Sequence, residues 1–292
     1  MPVRLAITPR HTELSPGFSV RRALPAAAAR SVGPFVFFDH FGPVDAKPGD
    51  NHDVRPHPHI GLATVTYILE GAMMHRDSLG TVQRIEPGAV NWMSAGSGIV
   101  HSERTPPDLR DREHRTHGLQ LWVGLPQPDE ETPPTFQHVH AGDIPLWKDG
   151  ATQVRVLVGT FDGLRSPVKT FAPTQYLDIR SKGARFTLPA DFGDGMAERA
   201  IYALDAGVEV DGNALEARVL GVLEPGVDSI VSTNGNARYV VVGGAPLDGH
   251  RFLWWNFVSS RKERIEEAKR AWAARAMGTI PGDDAERIPL PE

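Results

Sequence analysis

Glu86-Pro87-Gly88-Ala89-Val90-Asn91-Trp92-Met93-Ser94-Ala95-Gly96-Ser97-Gly98-Ile99-Val100-His101-Ser102-Glu103 alternates tight turns with short apolar runs. Pro87-Gly88 turns the chain into Val90-Asn91-Trp92-Met93, and the cluster around Gly96 and Gly98 turns it again into the run that ends at Glu103. Gly and Pro set such turns because one tolerates positive φ and the other fixes φ near −65°. Working upstream, Thr81 to Ile85 and Met73 to Asp77 flank Ser78-Leu79-Gly80, a hairpin signal. Before them Thr64-Val65-Thr66-Tyr67-Ile68-Leu69 is β-branched and partly alternating, and Glu70-Gly71 closes it. Downstream, Leu119 to Val123 supplies a further strand. Strands joined this tightly must run antiparallel, since parallel crossovers need about a dozen residues or more.

Further outward the pattern pauses and resumes. Residues 126 to 150 carry prolines, acids and isolated apolar residues, which predicts a long surface connection. Strand rhythm then returns at Val154 to Val158, Tyr176 to Arg180, Ala184 to Leu188, Ala200 to Leu204, Val208 to Val210, Ala217 to Leu223 and Tyr239 to Val242. A second β-domain of similar size follows. One long helix stands out over 260–277: Ser260 and Glu263 have capping-box spacing, the run through Ala276 has high helix propensity, and Gly278 sits where a C-terminal glycine belongs. The expected organisation is all-β, with an N-terminal domain over 1–140, a connecting segment over 141–170, and a C-terminal domain over 171–292 that includes the helix. The tail after Pro281 reads as extended and packed on the other domain.

Composition narrows the chemistry. The chain has 292 residues, a formal net charge of −5 and a pI near 6.2, a balance that argues against nucleic-acid binding. The densest charge run of the first half, Asp108 to Arg115, mixes both signs and reads as a solvated loop. No cysteine is present, so any metal must be held by imidazole and carboxylate. No stretch has the length of a membrane span and no signal-like start is visible, so a cytoplasmic monomer is expected.

Of the 12 histidines only His250 lies beyond residue 140, which directs attention to the first domain. Side chains at i and i+2 of a strand share a face, so His57 and His59 point together, as do His101 and Glu103. A single His-X-His is ordinarily a surface or hydrogen-bonded pair. Two such pairs on strands of one turn-punctuated region can converge as three nitrogens and one oxygen on a metal ion. Pro56 and Pro58 bracket the first pair and favour an extended segment at a sheet edge. A sulfur-free shell of this kind suits Fe(II), Mn(II), Ni(II), Cu(II) or Zn(II).

The motifs His57-Pro58-His59, Thr64-Val65-Thr66-Tyr67, Leu69-Glu70-Gly71, His75-Arg76-Asp77-Ser78, Trp92-Met93 and Gly98-Ile99-Val100-His101-Ser102-Glu103 together resemble the pirin family of the cupin superfamily. The resemblance extends through Arg21 to Pro25, Phe38-Asp39-His40-Phe41, Gln120 to Val123 and Trp254-Trp255-Asn256-Phe257-Val258, and is loose over 160–235. It implies a bicupin of two β-barrels packed face to face, with iron in the N-terminal barrel on His57, His59, His101 and Glu103. Ile60 and Leu62-Ala63 depart from the residues common in that family, which bears on the pocket rim rather than on the ligands.

Two functions follow from the resemblance. The first is an O2-dependent quercetin 2,3-dioxygenase, with Glu103 also accepting a proton from the flavonol substrate. The alternative is a regulatory protein whose metal state governs binding to a transcription factor or metabolic enzyme. Among other residues, Glu70 matches a ligand position of many cupins but reads here as a turn. His40 and His52 are candidates to support the site, His117 to line it, and His75 reads as structural.

Overall fold

The computed structural model describes residues 3–15, 18–191 and 198–291. They form two compact units: one gathers the described residues within 12–20, 39–141 and 247–291, and the other gathers those within 3–11, 21–38 and 142–246. The division is not linear along the chain. Strands Phe18–Leu24 and Phe35–Ala46 are each divided between the units, and residues 247–291, including the helix, lie with 39–141 rather than with the barrel that precedes them in sequence.

The unit containing the paired histidine motifs is built on two antiparallel sheets. One has four strands in the order Val54–His59, Ile99–Arg104, Met73–Asp77, Val82–Ile85. The other has seven, in the order Thr135–Val139, Val90–Ser94, Leu62–Glu70, His114–Gly124, Phe35–Ala46, Phe18–Leu24, Arg10–Ser15. Leu62–Glu70 pairs on both edges and is buried from Leu62 through Leu69, which is why it reads as a nearly unbroken apolar run. The hairpin expected around Ser78-Leu79-Gly80 forms, with Met73–Asp77 against Val82–Ile85. Val54–His59, the strand with two prolines, lies at the edge of its sheet, where missing N–H donors cost least.

The other unit repeats this plan. Its seven-stranded sheet runs Val3–Ile7, Leu220–Leu223, Glu198–Ala203, Asn236–Gly244, Thr174–Lys182, Thr152–Val158, Leu146–Asp149, and its four-stranded sheet runs Arg185–Leu188, Ser229–Ser232, Val208–Val210, Asn213–Leu215. Its core is hydrocarbon, from Val154, Leu177 and Ile179 to Phe186, Leu188, Val231 and Val241. Phe186 and Leu188 stand at i and i+2 on the edge strand of the small sheet, with Val231 directly across from Phe186. In the first unit the corresponding edge strand carries His57 and His59. Aliphatic and aromatic side chains thus fill the second barrel where imidazoles stand in the first.

Three expectations need correction. Residues 126–150 are no bare surface connection: they contain strands Thr135–Val139 and Leu146–Asp149, and Glu130 is buried. Its carboxylate meets the buried Arg251 guanidinium at 2.7 Å and accepts hydrogen bonds from Ser259 Oγ and from the Ser260 amide and hydroxyl. That engagement removes Ser260 from the capping box, so the helix begins at Lys262, with Arg261 as its unassisted cap. It also ends early, at Ala273, because Arg275 takes a left-handed φ of 59° and Arg287 donates to the Trp272 and Ala273 carbonyls. The helix buries Ile265, Ala268 and Trp272 against Ile60, Val100 and Phe257. No helix among the described residues is long and apolar enough to cross a membrane.

Replacing Glu130 with Ala would leave the Arg251 charge buried with fewer partners, and the expected loss in urea unfolding is about 3–5 kcal/mol. Glu130→Gln, which retains an acceptor, should lose less. A loss for Glu130→Ala below about 1 kcal/mol, the scale of an exposed pair, would show that Asp248 and the Leu125 carbonyl satisfy Arg251 alone.

Candidate metal centre

Strand pairing places the four residues together. Ile99–Arg104 runs antiparallel to Val54–His59 with His101 directly across from His57 and Ile99 across from His59. The register then shifts, and Glu103 falls opposite Val54. The shift falls between His101 and Glu103, with the extra residue on the edge strand beyond His57, so the bulge leaves His57 and His59 on their common face. The preceding turn depends on Gly96, at a φ of 50°, where any Cβ would run into the Thr132 carbonyl.

The three imidazoles stand at the corners of a nearly equilateral triangle. Ring centroids are 4.4 Å apart for His57–His101, 4.9 Å for His59–His101 and 5.0 Å for His57–His59. One nitrogen from each lies within 4.8 Å of the others. His57 Nδ1 donates to the Arg55 carbonyl at 2.8 Å, and His59 Nδ1 donates to the Asn256 carbonyl at 3.1 Å. With the proton fixed on Nδ1, a neutral ring presents its lone pair on Nε2. Glu103 lies beside them, with Oε2 3.9 Å from His57 Nε2 and Oε1 3.5 Å from His101 Nδ1.

Burial sets the protonation states. It pushes the His57 imidazole down to about 4, against the opposing pull of the Arg55 carbonyl, and holds His59 and His101 well below the usual histidine range. The same burial drives the Glu103 carboxyl up to about 8, with the Arg104 charge opposing. Two atoms of the cluster, His101 Nε2 and Glu103 Oε2, are buried with no hydrogen-bond partner. Buried polar atoms are rarely left so. Neutral imidazole lone pairs and an unsatisfied carboxylate oxygen, with no sulfur, are the donor set of a divalent transition-metal ion, and these residues fit one.

The remaining candidates separate clearly. His75 sits across from Glu103 on the neighbouring strand, donates through Nε2 to Asp77 Oδ2 at 2.9 Å, and places Nδ1 3.5 Å from His101 Nδ1. Phe136 stacks on its other side, with centroids 4.4 Å apart. Burial pushes the Asp77 carboxyl up, but hydrogen bonds from His75 and Thr81 outweigh it and hold the group ionised below its ordinary range. His75 therefore backs a triad member, a role the sequence hides because it does not show the cross-strand register. His40 instead pairs with His117, Nε2 to Nε2, at 2.7 Å, and His52 stacks on Phe18. Glu70 is half exposed beside Arg115 and His117, as a strand-ending residue should be. Asn256, which holds His59, is a contact of 197 residues' separation that no local pattern announces.

These protonation states predict how a metal would bind. From about pH 4 to 8 the metal-free site holds neutral histidines and a protonated Glu103, so a cation must expel one proton from the carboxyl. Affinity is then expected to rise about tenfold per pH unit toward pH 8 and to level off above it. Calorimetric titration in buffers of different ionisation enthalpy should count one released proton, and Glu103→Gln should abolish both the release and the slope. A flat affinity between pH 6 and 8 would show that Glu103 does not ligate.

The comparisons with known proteins agree with this architecture. The Pirin family model matches residues 17–123 and the Pirin C-terminal cupin domain model matches 176–278. A pirin-like protein of Caulobacter vibrioides is 44% identical over 280 residues, covering 94% of this chain and 95% of the relative. The crystal structure of a quercetin 2,3-dioxygenase from Acinetobacter baumannii superimposes with a TM-score of 0.89 at 35% identity, covering 99% of this chain and 95% of that one. A bacterial pirin of Escherichia coli, solved in complex with nickel(II), shares the fold at a TM-score of 0.64 and 15% identity, over 83% of this chain and 99% of that one. The two barrels are cupin domains, and the chain belongs to the pirin family.

Proposed function

We propose that this protein is a metal-dependent dioxygenase that opens the ring of a flavonol such as quercetin, using one metal ion held by His57, His59, His101 and Glu103. The observation that carries the reading is the buried cluster itself, in which three neutral imidazoles face a carboxylate and two donor atoms have no other partner. The substrate class rests on the likeness to the Acinetobacter baumannii quercetin 2,3-dioxygenase. Fe(II) is the assignment we favour among the ions this donor set accepts. When bound, the metal would supply a site where a substrate oxygen and O2 meet and electrons pass between them.

The chain's own residues do the rest. His59 and His101 are 1% exposed, and His57 and Glu103 are 6% and 8% exposed, so the whole cluster is shielded from bulk water. Trp122 meets the His59 ring edge-on at 5.1 Å, and Phe136 stacks on His75, which adds apolar cover beside the cluster. Glu103 is the carboxylate beside the triad. A cation in the site would displace the proton that burial holds on Glu103, which leaves that carboxylate able to accept one from a flavonol hydroxyl.

The test is oxygen uptake with quercetin by protein loaded separately with Fe(II), Mn(II), Ni(II), Cu(II) and Zn(II), alongside loss of the flavonol absorbance. We expect one O2 consumed per flavonol, abolition by chelation, and a fall of about 100-fold or more in His101→Ala. Tight metal binding without turnover by any loaded form would remove the oxygenase reading and leave a metal-binding protein.

A further inference from the structure

The strand Ile99–Arg104 alternates its faces. His101 and Glu103 point to the cluster, while Ser102 and Arg104 point the other way. Those two outer side chains converge on one carboxylate 181 residues further along the chain. Asp283 Oδ2 accepts from Ser102 Oγ at 2.6 Å and from Arg104 Nε at 3.0 Å, and Asp283 Oδ1 accepts from Arg104 Nη2 at 2.6 Å. A two-pronged guanidinium–carboxylate pair fixes direction as well as distance. The groups are largely shielded, with side-chain exposures of 13% for Arg104 and 14% for Asp283, so the contact is no solvent-swept surface pair.

The same segment also touches the other histidine strand. The Ile288 amide donates to the carbonyl of Pro56, next to His57, at 2.9 Å. It is anchored in turn to the helix, where Trp272 Nε1 donates to the Ile288 carbonyl at 3.0 Å and Arg287 lies over the Trp272 ring. Glu286 adds an ion pair to Arg104 at 3.0 Å. Residues 283–288 therefore form a strap across the outer side of both strands whose inner sides carry the four candidate ligands.

We propose that Asp283 is a positioning residue for the metal centre, which by gripping Ser102 and Arg104 from outside the barrel fixes where His101 and Glu103 meet the ion. The inference rests on the reading of the cluster as a metal site. Ligand groups need placement to about 0.5 Å. Ser102 and Arg104 are the residues on either side of Glu103, so a shift of either moves the carboxylate directly.

The experiment uses the full-length protein, stripped of metal and titrated with Co(II), whose visible absorption reports the number and arrangement of its ligands. Asp283→Ala is expected to bind Co(II) about 10–100-fold more weakly than the native chain, with an altered absorption band, while Asp283→Glu recovers both. Far-UV circular dichroism checks that the variants are folded at the titration temperature. A lowered melting temperature with native Co(II) affinity and spectrum would assign Asp283 a merely structural role and overturn the proposal. If Asp283→Ala does not fold, Ser102→Ala removes a single donor, and a loss of about threefold in affinity is expected; unchanged affinity there would likewise overturn it. Failure of the native chain to bind Co(II) at all is a different result, which removes the metal reading together with the inference.

Discussion

Everything at the candidate metal centre depends on His101 standing directly across from His57 in an antiparallel pair. A strand has a side-chain period of two, so a slip of one residue would turn the moving strand's pair of candidate ligands to the opposite face and put Ser102 or Val100 in place of imidazole. Several local features hold that register. The Gly96 turn admits no side chain, the bulge absorbs the extra residue of the edge strand, and two prolines keep that strand extended. The cost of the arrangement is electrostatic: four titratable groups are buried together, and they stay neutral in the absence of a cation.

The two units show what the same sheet plan does when that cost is absent. Both combine a seven-stranded and a four-stranded sheet. In one the edge strand of the small sheet presents His57 and His59, and in the other it presents Phe186 and Leu188 to a continuous apolar core. Hydrocarbon packing satisfies itself, whereas imidazoles and carboxylates need hydrogen bonds from neighbouring segments. The second unit's small sheet accordingly needs no equivalent of the contacts that Asn256, His75 and Arg55 make with the triad.

Much of this was legible in the residues. Turn glycines and prolines marked out the antiparallel strands, and the two i, i+2 pairs identified the group that the fold brings together. What was not legible depends on long-range pairing. Ser260 and Glu263 have the spacing of a capping box, yet Glu130 takes the serine because the buried Arg251 brings that carboxylate alongside. Residues 126–150 looked like surface chain because Thr135–Val139 is an edge strand, half exposed and paired on one side only. His75 read as an ordinary hairpin histidine, since only the register of a neighbouring strand places it behind His101. Motifs encode which groups share a face; they do not encode which distant segment will meet that face.

The separation of those segments has a consequence for synthesis. His59 is held by a carbonyl 197 residues later, and the strand of His101 by a carboxylate 181 residues later. At typical rates of about 5–20 residues per second, the ribosome makes all four candidate ligands roughly 8–36 seconds before the groups that brace them. A nascent or truncated chain thus carries the four candidate side chains without their supports. The candidate ligands are therefore made well before the segments that brace them.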